Sequence, residues 1–456
     1  MVKIENLTLS YNGKEEILKN INIEIKKGES ILFTGKSGSG KSSIINSING
    51  LAERYDNAKI TGNIIINGKN IKNFKIYEIS MLISTVFQNP KTYFFNVNTT
   101  LELLFYLENI GLTKEEMDRR LDEMLKIFPI SHLLNRDIFK LSGGEKQILC
   151  IAASYIAGTD IIVLDEPSSN LDQEKIEIIN SMLKILKRKG ITLIISEHRI
   201  YYLMDIIDRV FLIEKGKIKK EYSIEEFKKI PLEELNRMSL RDKKRTELKV
   251  ESISEDGEFL IKELEYKFEN TNEKLKLKNI HLKAGKIYGI VGSNGHGKST
   301  LLRCLTGVEK KSKEEIYLKG KKIRKKERLK MTSLVMQDVN HQLFTDQVSD
   351  EIRLGIKDLD KEKAEDILRK LDLYELKDRH PMSLSGGQKQ RLSIASVICK
   401  NSKIILFDEP TSGMDYENMI KTSKLIKSTK NKDNIIIIVS HDFELLNQVA
   451  DNIIKM

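Results

Sequence analysis

Two eight-residue runs, Gly35-Lys36-Ser37-Gly38-Ser39-Gly40-Lys41-Ser42 and Gly292-Ser293-Asn294-Gly295-His296-Gly297-Lys298-Ser299, share one spacing: glycine, four residues, glycine, lysine, serine. That spacing suits phosphate. The glycines let the backbone turn tightly, so its N–H groups point inward at phosphate oxygens, and a helix starting there adds positive potential. Lys41 and Lys298 can reach β and γ phosphates, while Ser42 and Ser299 can place a hydroxyl on Mg²⁺. Ser43 and Thr300, the next residues, complete the expected contact set. With glycine near 7 % of residues, the pattern arises by chance at roughly one starting position in 10⁴–10⁵. Two occurrences in 456 residues therefore exclude an ordinary flexible turn.

Two acidic pairs close apolar runs: Asp165-Glu166 follows Ile161–Leu164, and Asp408-Glu409 follows Ile404–Phe407. An aspartate at the carboxyl end of a strand, beside a phosphate loop, suits Mg²⁺ coordination. The adjacent glutamate can polarise an attacking water as general base. Without the phosphate loops, a helix cap would be the simpler reading of both pairs. Leu141-Ser142-Gly143-Gly144 and Leu384-Ser385-Gly386-Gly387 place small residues ahead of a helix, a second surface of N–H groups for phosphate.

These groups must be delivered by strands and helices, and the chain supplies them twice. Ile4-Glu5-Asn6-Leu7 and Ile261-Lys262-Glu263-Leu264 open stretches that stay in register at an offset of 257 through both glycine-rich runs. Gln88 and Gln337, the Ser-Gly-Gly runs, the acidic pairs, and His198 and His441 then recur in the same order. The second copy is shorter by 8 residues before the glutamine and by 6 more before Ser385, deletions expected in surface loops. Two homologous domains are expected at 1–222 and 257–456, joined by a helical extension and linker at 223–256. Ser223-Ile224-Glu225-Glu226 reads as a capping box, and Pro231 precedes a further helical run. Arg241-Asp242-Lys243-Lys244-Arg245 reads as a solvated basic surface. Ile31–Thr34, Ile161–Leu164 and Ile191–Ile195 are apolar enough for parallel strands covered on both faces. Helical periodicity is expected from Lys41 to about Asn49 and over Thr113–Phe128.

A phosphate loop, a glutamine, a Leu-Ser-Gly-Gly-Glu/Gln signature, an Asp-Glu strand end and a lone histidine, in that order and twice, resemble the ATP-binding cassette (ABC) ATPases. The resemblance spans nearly the whole chain. It implies an α/β fold: two P-loop ABC ATPase domains in tandem, each with a RecA-like core, an antiparallel β subdomain and a helical subdomain. It implies ATP and Mg²⁺ as ligands. Gln88 and Gln337 would be Q-loop residues touching Mg²⁺ and the attacking water, alongside Ser42, Ser299, Asp165 and Asp408 as metal residues. His198 and His441 would contact the γ-phosphate. Asp172 (Asn170-Leu171-Asp172) and Asp415 (Gly413-Met414-Asp415) match the D-loop aspartate, and Tyr11 and Phe268 the aromatic that stacks on adenine, with Tyr266, two residues before Phe268, the alternative in the second copy. Ile148 stands where the second copy has Arg391, which puts one interaction of that helix in doubt but no phosphate contact. The family pairs its cassettes head to tail, which implies an intramolecular pairing of Gly35–Ser42 with Ser385–Gly387 and of Gly292–Ser299 with Ser142–Gly144.

Gln342-Leu343-Phe344 after the second Q-loop, with Val348 and Asp350-Glu351-Ile352, resembles the ATPases of energy-coupling factor (ECF) importers of vitamins and metals. That resemblance implies two partners: a transmembrane coupling protein and a separate membrane substrate-binding protein. Phe94 and Phe344 would be exposed aromatics facing the former. The expected place is the cytoplasmic face of the cell membrane, since no apolar run reaches the roughly 18 residues of a span and no secretory pattern opens the chain. Three scattered cysteines (Cys150, Cys304, Cys399) argue against a disulfide framework or zinc site. The net charge of +11 suits nucleic acid, anionic lipid or nucleotide phosphates, and equally a chain that is simply rich in Lys, Ile and Asn; nucleic acid is not expected as a partner. The alternative is a soluble F-subfamily ABC translation factor. Against it, the D-loops read Ser-Ser-Asn-Leu-Asp and Thr-Ser-Gly-Met-Asp, the linker is short, and the first domain lacks a long charged arm. A DNA-repair or chromosome ABC ATPase would need a coiled coil or zinc cysteines that the sequence does not supply.

Overall fold

The structure, a computed structural model, describes residues 1–11, 13, 15–90, 93–169, 171–248, 257–268, 274–293, 295–356 and 360–456. The chain divides into two compact units, Met1–Arg245 with Gly413–Glu417, and Thr246–Ser412 with Asn418–Met456.

The first unit holds ten strands: β1 Val2–Ser10, β2 Leu18–Ile25, β3 Ser30–Thr34, β4 Lys59–Ile66, β5 Lys69–Asn70, β6 Ile83–Val86, β7 Ile161–Asp165, β8 Thr192–Ser196, β9 Arg209–Glu214 and β10 Lys217–Ser223. An antiparallel sheet has the order β2-β1-β4-β5, and a central sheet the order β10-β9-β3-β8-β7-β6. Pairing within the central sheet is parallel from β9 through β6, with β10 antiparallel at one edge. Alternate residues of its strands enter different cores. Ile31, Phe33, Ile161, Val163 and Ile194 pack with the antiparallel sheet and the helix Lys41–Ile48. Leu32, Ile162, Leu164, Leu193 and Ile195 pack on the opposite face with the helix Gly143–Ile156. Burial on both faces is why these strands read as unbroken apolar runs.

A helical region lies between Gln88 and Ser142. Its helices are Thr99–Asn109, capped by the Asn98 side chain, and Lys114–Ile127, capped by Thr113 with Phe128 at its end. The extension after β10 forms two short helices, Ile224–Lys229, opened by the Ser223/Glu226 capping box, and Leu232–Arg237 after Pro231.

The second unit repeats the plan with β11 Phe259–Lys267, β12 Lys274–Leu282, β13 Lys286–Val291, β14 Lys313–Leu318, β15 Lys321–Lys322, β16 Thr332–Val335, β17 Ile404–Asp408, β18 Ile435–Val439 and β19 Asn452–Lys455. Its sheets are β12-β11-β14-β15 and β16-β17-β18-β13-β19. The latter order, read strand for strand, matches β6-β7-β8-β3-β9 of the first unit. In each, the strand feeding the glycine-rich loop (β3, β13) lies inside the sheet between two parallel neighbours. The helical region is smaller here, with Val348–Glu351 and Lys361–Lys370.

Candidate functional site

The first glycine-rich loop leaves β3 and enters the helix Lys41–Ile48. Gly35 has φ 144°, and a Cβ there would fall 2.2 Å from the Ile213 carbonyl oxygen. Gly40 caps the helix at φ 106°, where a Cβ would meet Leu18 at 2.7 Å. No other residue fits either place. Gly38 and Ser39 form the turn between them, Ser39 N–H donating to the Lys36 carbonyl at 3.1 Å. Lys41 is buried, and its Nζ donates to the carbonyls of Gly35 at 3.0 Å and Lys36 at 3.1 Å. Burial pulls its pKa down, against the carboxylates of Glu166, Asp415 and Asp165. Ser42 Oγ donates to Asp165 Oδ1 at 3.2 Å, joining the loop to the end of β7, and burial raises the Asp165 carboxyl.

Glu166 follows in the left-handed backbone region at φ 45°, an uncommon conformation for a residue with a Cβ. Its Oε2 accepts from Gln88 Nε2 at 2.7 Å, and its Oε1 lies 3.4 Å from His198 Nε2. Burial, then the nearby Glu197 carboxylate, pushes the Glu166 carboxyl up to about 8. His198 lies 3.5 Å from Ser37 Oγ through Nε2; burial, then Lys41 and Arg241, holds its pKa well below the usual imidazole value. Ser37 N–H donates to Asp415 Oδ2 at 2.6 Å, and Lys36 pairs with Glu417 at 2.7 Å, both acids lying in the segment Gly413–Glu417 of this unit. Tyr11 donates to Ser43 Oγ at 3.1 Å with its ring partly exposed.

In the second unit Lys298 Nζ donates to Gly292 O at 2.8 Å and Ser293 O at 2.9 Å. Burial raises the Asp408 carboxyl, offset by the nearby Ser299 hydroxyl and the Lys298 charge. Glu409, again left-handed at φ 47°, accepts from Ser440 Oγ and His441 N, each at 3.2 Å, with His441 Nε2 at 3.6 Å. Thr300 is buried, Gly295 and His296 are exposed, and Gln337 follows β16 as Gln88 follows β6. Gly297 caps the helix Lys298–Thr306, and a Cβ there would meet the Phe268 ring at 2.9 Å. That ring packs edge-on against Tyr266. Asn294 and Asn170 lie outside the described residues.

No group of three His, Cys, Asp or Glu side chains among the described residues forms a metal cluster. A hydroxyl beside a strand-end aspartate instead fits a hard divalent ion completed by phosphate and water oxygens. Asp408 Oδ1 supports that fit, being buried without a hydrogen-bond partner among the described residues.

Each signature serine opens a helix. Ser142 caps Gly143–Ile156 in a capping box with Glu145, and Ser385 caps Gly386–Lys400 with Gln388. The glycines Gly143, Gly144, Gly386 and Gly387 form the first turns. Asp172 is buried and caps the helix Gln173–Arg188 through the Lys175 N–H at 2.9 Å. Arg391 Nε donates to the Leu371 carbonyl at 2.9 Å, whereas Ile148 is packed in the apolar core; this is the interaction that differs between the copies.

Two expectations need correction. Phe94 is packed against the core rather than exposed. The residue matching Phe344 is Phe95: their backbone N–H groups donate to equivalent buried carboxylates, Glu102 and Glu351, and their rings are 78 % and 74 % exposed. Arg241, expected on a solvated surface, is buried, its Nε donating to the Met414 carbonyl at 3.1 Å. The sequence reading also missed Glu197, a buried carboxylate next to His198. Setting Glu197-His198-Arg199 against Ser440-His441-Asp442 would have drawn it out.

The sequence profile of the ABC transporter family matches residues 18–169 and 275–412. A Treponema denticola ABC transporter ATP-binding protein is 41 % identical over 465 residues, covering 100 % of this chain and 95 % of its own. A second from that organism is 36 % identical over 98 % of this chain and 93 % of its own. Among solved structures, one described as RNase-L inhibitor superimposes with a TM-score of 0.63 at 20 % identity, covering 99 % of this chain and 87 % of that one, a likeness of fold.

Proposed function

The chain belongs to the ABC transporter family and is an ATPase, and from that premise we propose that it hydrolyses Mg·ATP at two composite sites to power a membrane importer of the ECF type. On this reading residues 1–222 and 257–456 are the two cassettes, and 223–256 joins them. Tyr11 and Phe268 stack on adenine. Lys41 and Lys298 give up their carbonyl partners to hold β and γ phosphates. Ser42, Asp165 and Gln88 hold Mg²⁺ in the first site, and Ser299, Asp408 and Gln337 in the second. The ion supplies charge neutralisation on the phosphate oxygens. Glu166 and Glu409 accept the proton of the attacking water; the Glu166 carboxyl, pushed up to about 8, suits that task. His198 and His441 meet the γ-phosphate. The signature residues Ser142–Gly144 and Ser385–Gly387 close over the nucleotide bound to the opposite loop, so ATP favours the closed pair by its differential affinity. Fusion in one chain raises the effective concentration of each half for the other.

The observation that carries the importer reading is the exposed aromatic in each unit, Phe95 and Phe344, on a loop pinned by a buried glutamate seven residues on and next to the Q-loop glutamine. Such rings suit helices of a hydrophobic coupling protein, at the cytoplasmic face of the membrane. No helix among the described residues is long and apolar enough to cross a membrane itself. The test is affinity purification from detergent-solubilised membranes, with the parent and with Phe95→Ser/Phe344→Ser. A membrane protein should accompany the parent and be lost from the variant, while ATP binding persists. Recovery of the parent with ribosomes instead would overturn this reading in favour of a translation factor.

A further inference from the structure

Glu197 is 2 % exposed, and its carboxylate has four partners drawn from two segments of the first unit. Oε1 accepts from the backbone N–H of His198 at 2.7 Å and of Arg199 at 3.0 Å. Oε2 accepts from the Ser168 N–H at 3.2 Å, in the turn just past Glu166, and from the Tyr202 hydroxyl at 2.9 Å. Its own backbone meets the strand that feeds the phosphate loop: its N–H donates to Phe33 O at 3.3 Å, and its carbonyl accepts from Thr34 Oγ1 at 3.2 Å. A buried carboxylate with four donors is satisfied, and removing it would leave those donors unpaired.

The second unit has Ser440 at this place and solves the problem differently. Asp442, one residue past the histidine, is the buried acid there. It accepts from Thr411 Oγ1 at 2.7 Å, in the turn past Glu409, and caps the next helix through the Leu445 N–H at 3.1 Å. The position of Asp442 is held in the first unit by Arg199, whose Nη1 donates to the Leu171 carbonyl at 3.1 Å. The exchange redirects a donor. The His441 N–H and the Ser440 hydroxyl both point at Glu409, whereas the His198 N–H is taken by Glu197.

We propose that Glu197 is a positioning residue of the first hydrolytic site, doing there what Asp442 does in the second, so that the two sites hold their water-activating glutamates in unlike frames and respond unequally to the same substitution. The proposal rests on the two-site ATPase reading. It acts on the geometry of Glu166 and His198, and leaves the phosphate loop's own contacts in place. The loss therefore belongs in kcat more than in KM.

The test uses the full chain and ATP. In a Glu409→Gln background, where turnover reports the first site, Glu197→Ala should lower kcat at least about tenfold with KM within about threefold. In a Glu166→Gln background the same change should alter kcat less than about twofold. Glu197→Gln, which keeps size, should be intermediate and covers the case in which the alanine variant folds poorly. The double change Glu197→Ser/Arg199→Asp, which installs the second site's arrangement, should restore kcat to within about threefold. Unchanged turnover in Glu197→Ala, equal losses in both backgrounds, or no recovery in the double variant would overturn the proposal. Lys41→Ala run in parallel separates the two readings: loss with Lys41→Ala but none with Glu197→Ala overturns the positioning role alone, and loss with neither overturns both.

Discussion

Lys41 and Lys298 each donate to two carbonyls of their own loop, which on the proposed reading holds their charge ready for a polyphosphate. Replacing either by alanine should remove one of two binding sites for a nonhydrolysable ATP analogue, read by equilibrium dialysis, and lower hydrolysis at least about tenfold. A parent stoichiometry of one per chain would contradict the pair of sites. Glu166 gives a pH prediction. Its carboxyl sits at about 8 in the fold against an ordinary 4.5. A raised carboxyl contributes stability that is complete below the unfolded pKa and is lost as pH rises through the folded one. The melting temperature of the nucleotide-free parent, relative to Glu166→Gln, should therefore fall as pH climbs from about 4.5 to about 8. A difference that stays flat across that window would show that the carboxyl is ionised throughout.

At the scale of elements, the central strands and the helix Lys114–Ile127 were legible in the sequence for one reason: burial on two faces, or on one stripe, writes itself into local periodicity. The glycine-rich loops were legible because their backbone tolerates no other residue at places such as Gly35. Phe94 and Phe95 were not separable, since adjacent residues differ only in register, and the register is set by the Glu102 carboxylate reaching back seven residues. Arg241 was misread because its partner carbonyl, Met414, is 173 positions away and leaves no local trace. Glu197 left a trace only in the comparison of the two copies, since its contact to the Ser168 N–H, 29 positions away, is written nowhere locally. Helix anchoring differs between the copies at Arg391. Arg391→Ala frees the Leu371 carbonyl and should cost about 1–3 kcal/mol in the second unit, measured by denaturant unfolding. Ile148→Ala should cost about 2–5 kcal/mol in the first by opening a cavity. Equal small losses for both would mean that neither side chain anchors its helix.

For the whole molecule, the strand orders of the second unit's two sheets recur within those of the first, so two glycine-rich loops of one ancestry are carried in fixed one-to-one proportion. The surroundings of the two loops have diverged residue by residue, as Ser440 and Glu197 illustrate. The segment Gly413–Glu417 has a different consequence. By sequence it belongs to the second copy, yet it is part of the first compact unit, supplying the acceptor for Ser37 and the carbonyl that buries Arg241. Gene fission near residue 250 would thus not yield two self-sufficient proteins. The amino-terminal product would lack five residues of its own unit and lose the bonds that Ser239 and Arg241 make to them. It should be soluble and competent only when the carboxyl-terminal product is made in the same cell. Trans-complementation in a split-gene strain would measure this, with recovery expected for a fragment carrying Asp415 and reduced for one carrying Asp415→Ala.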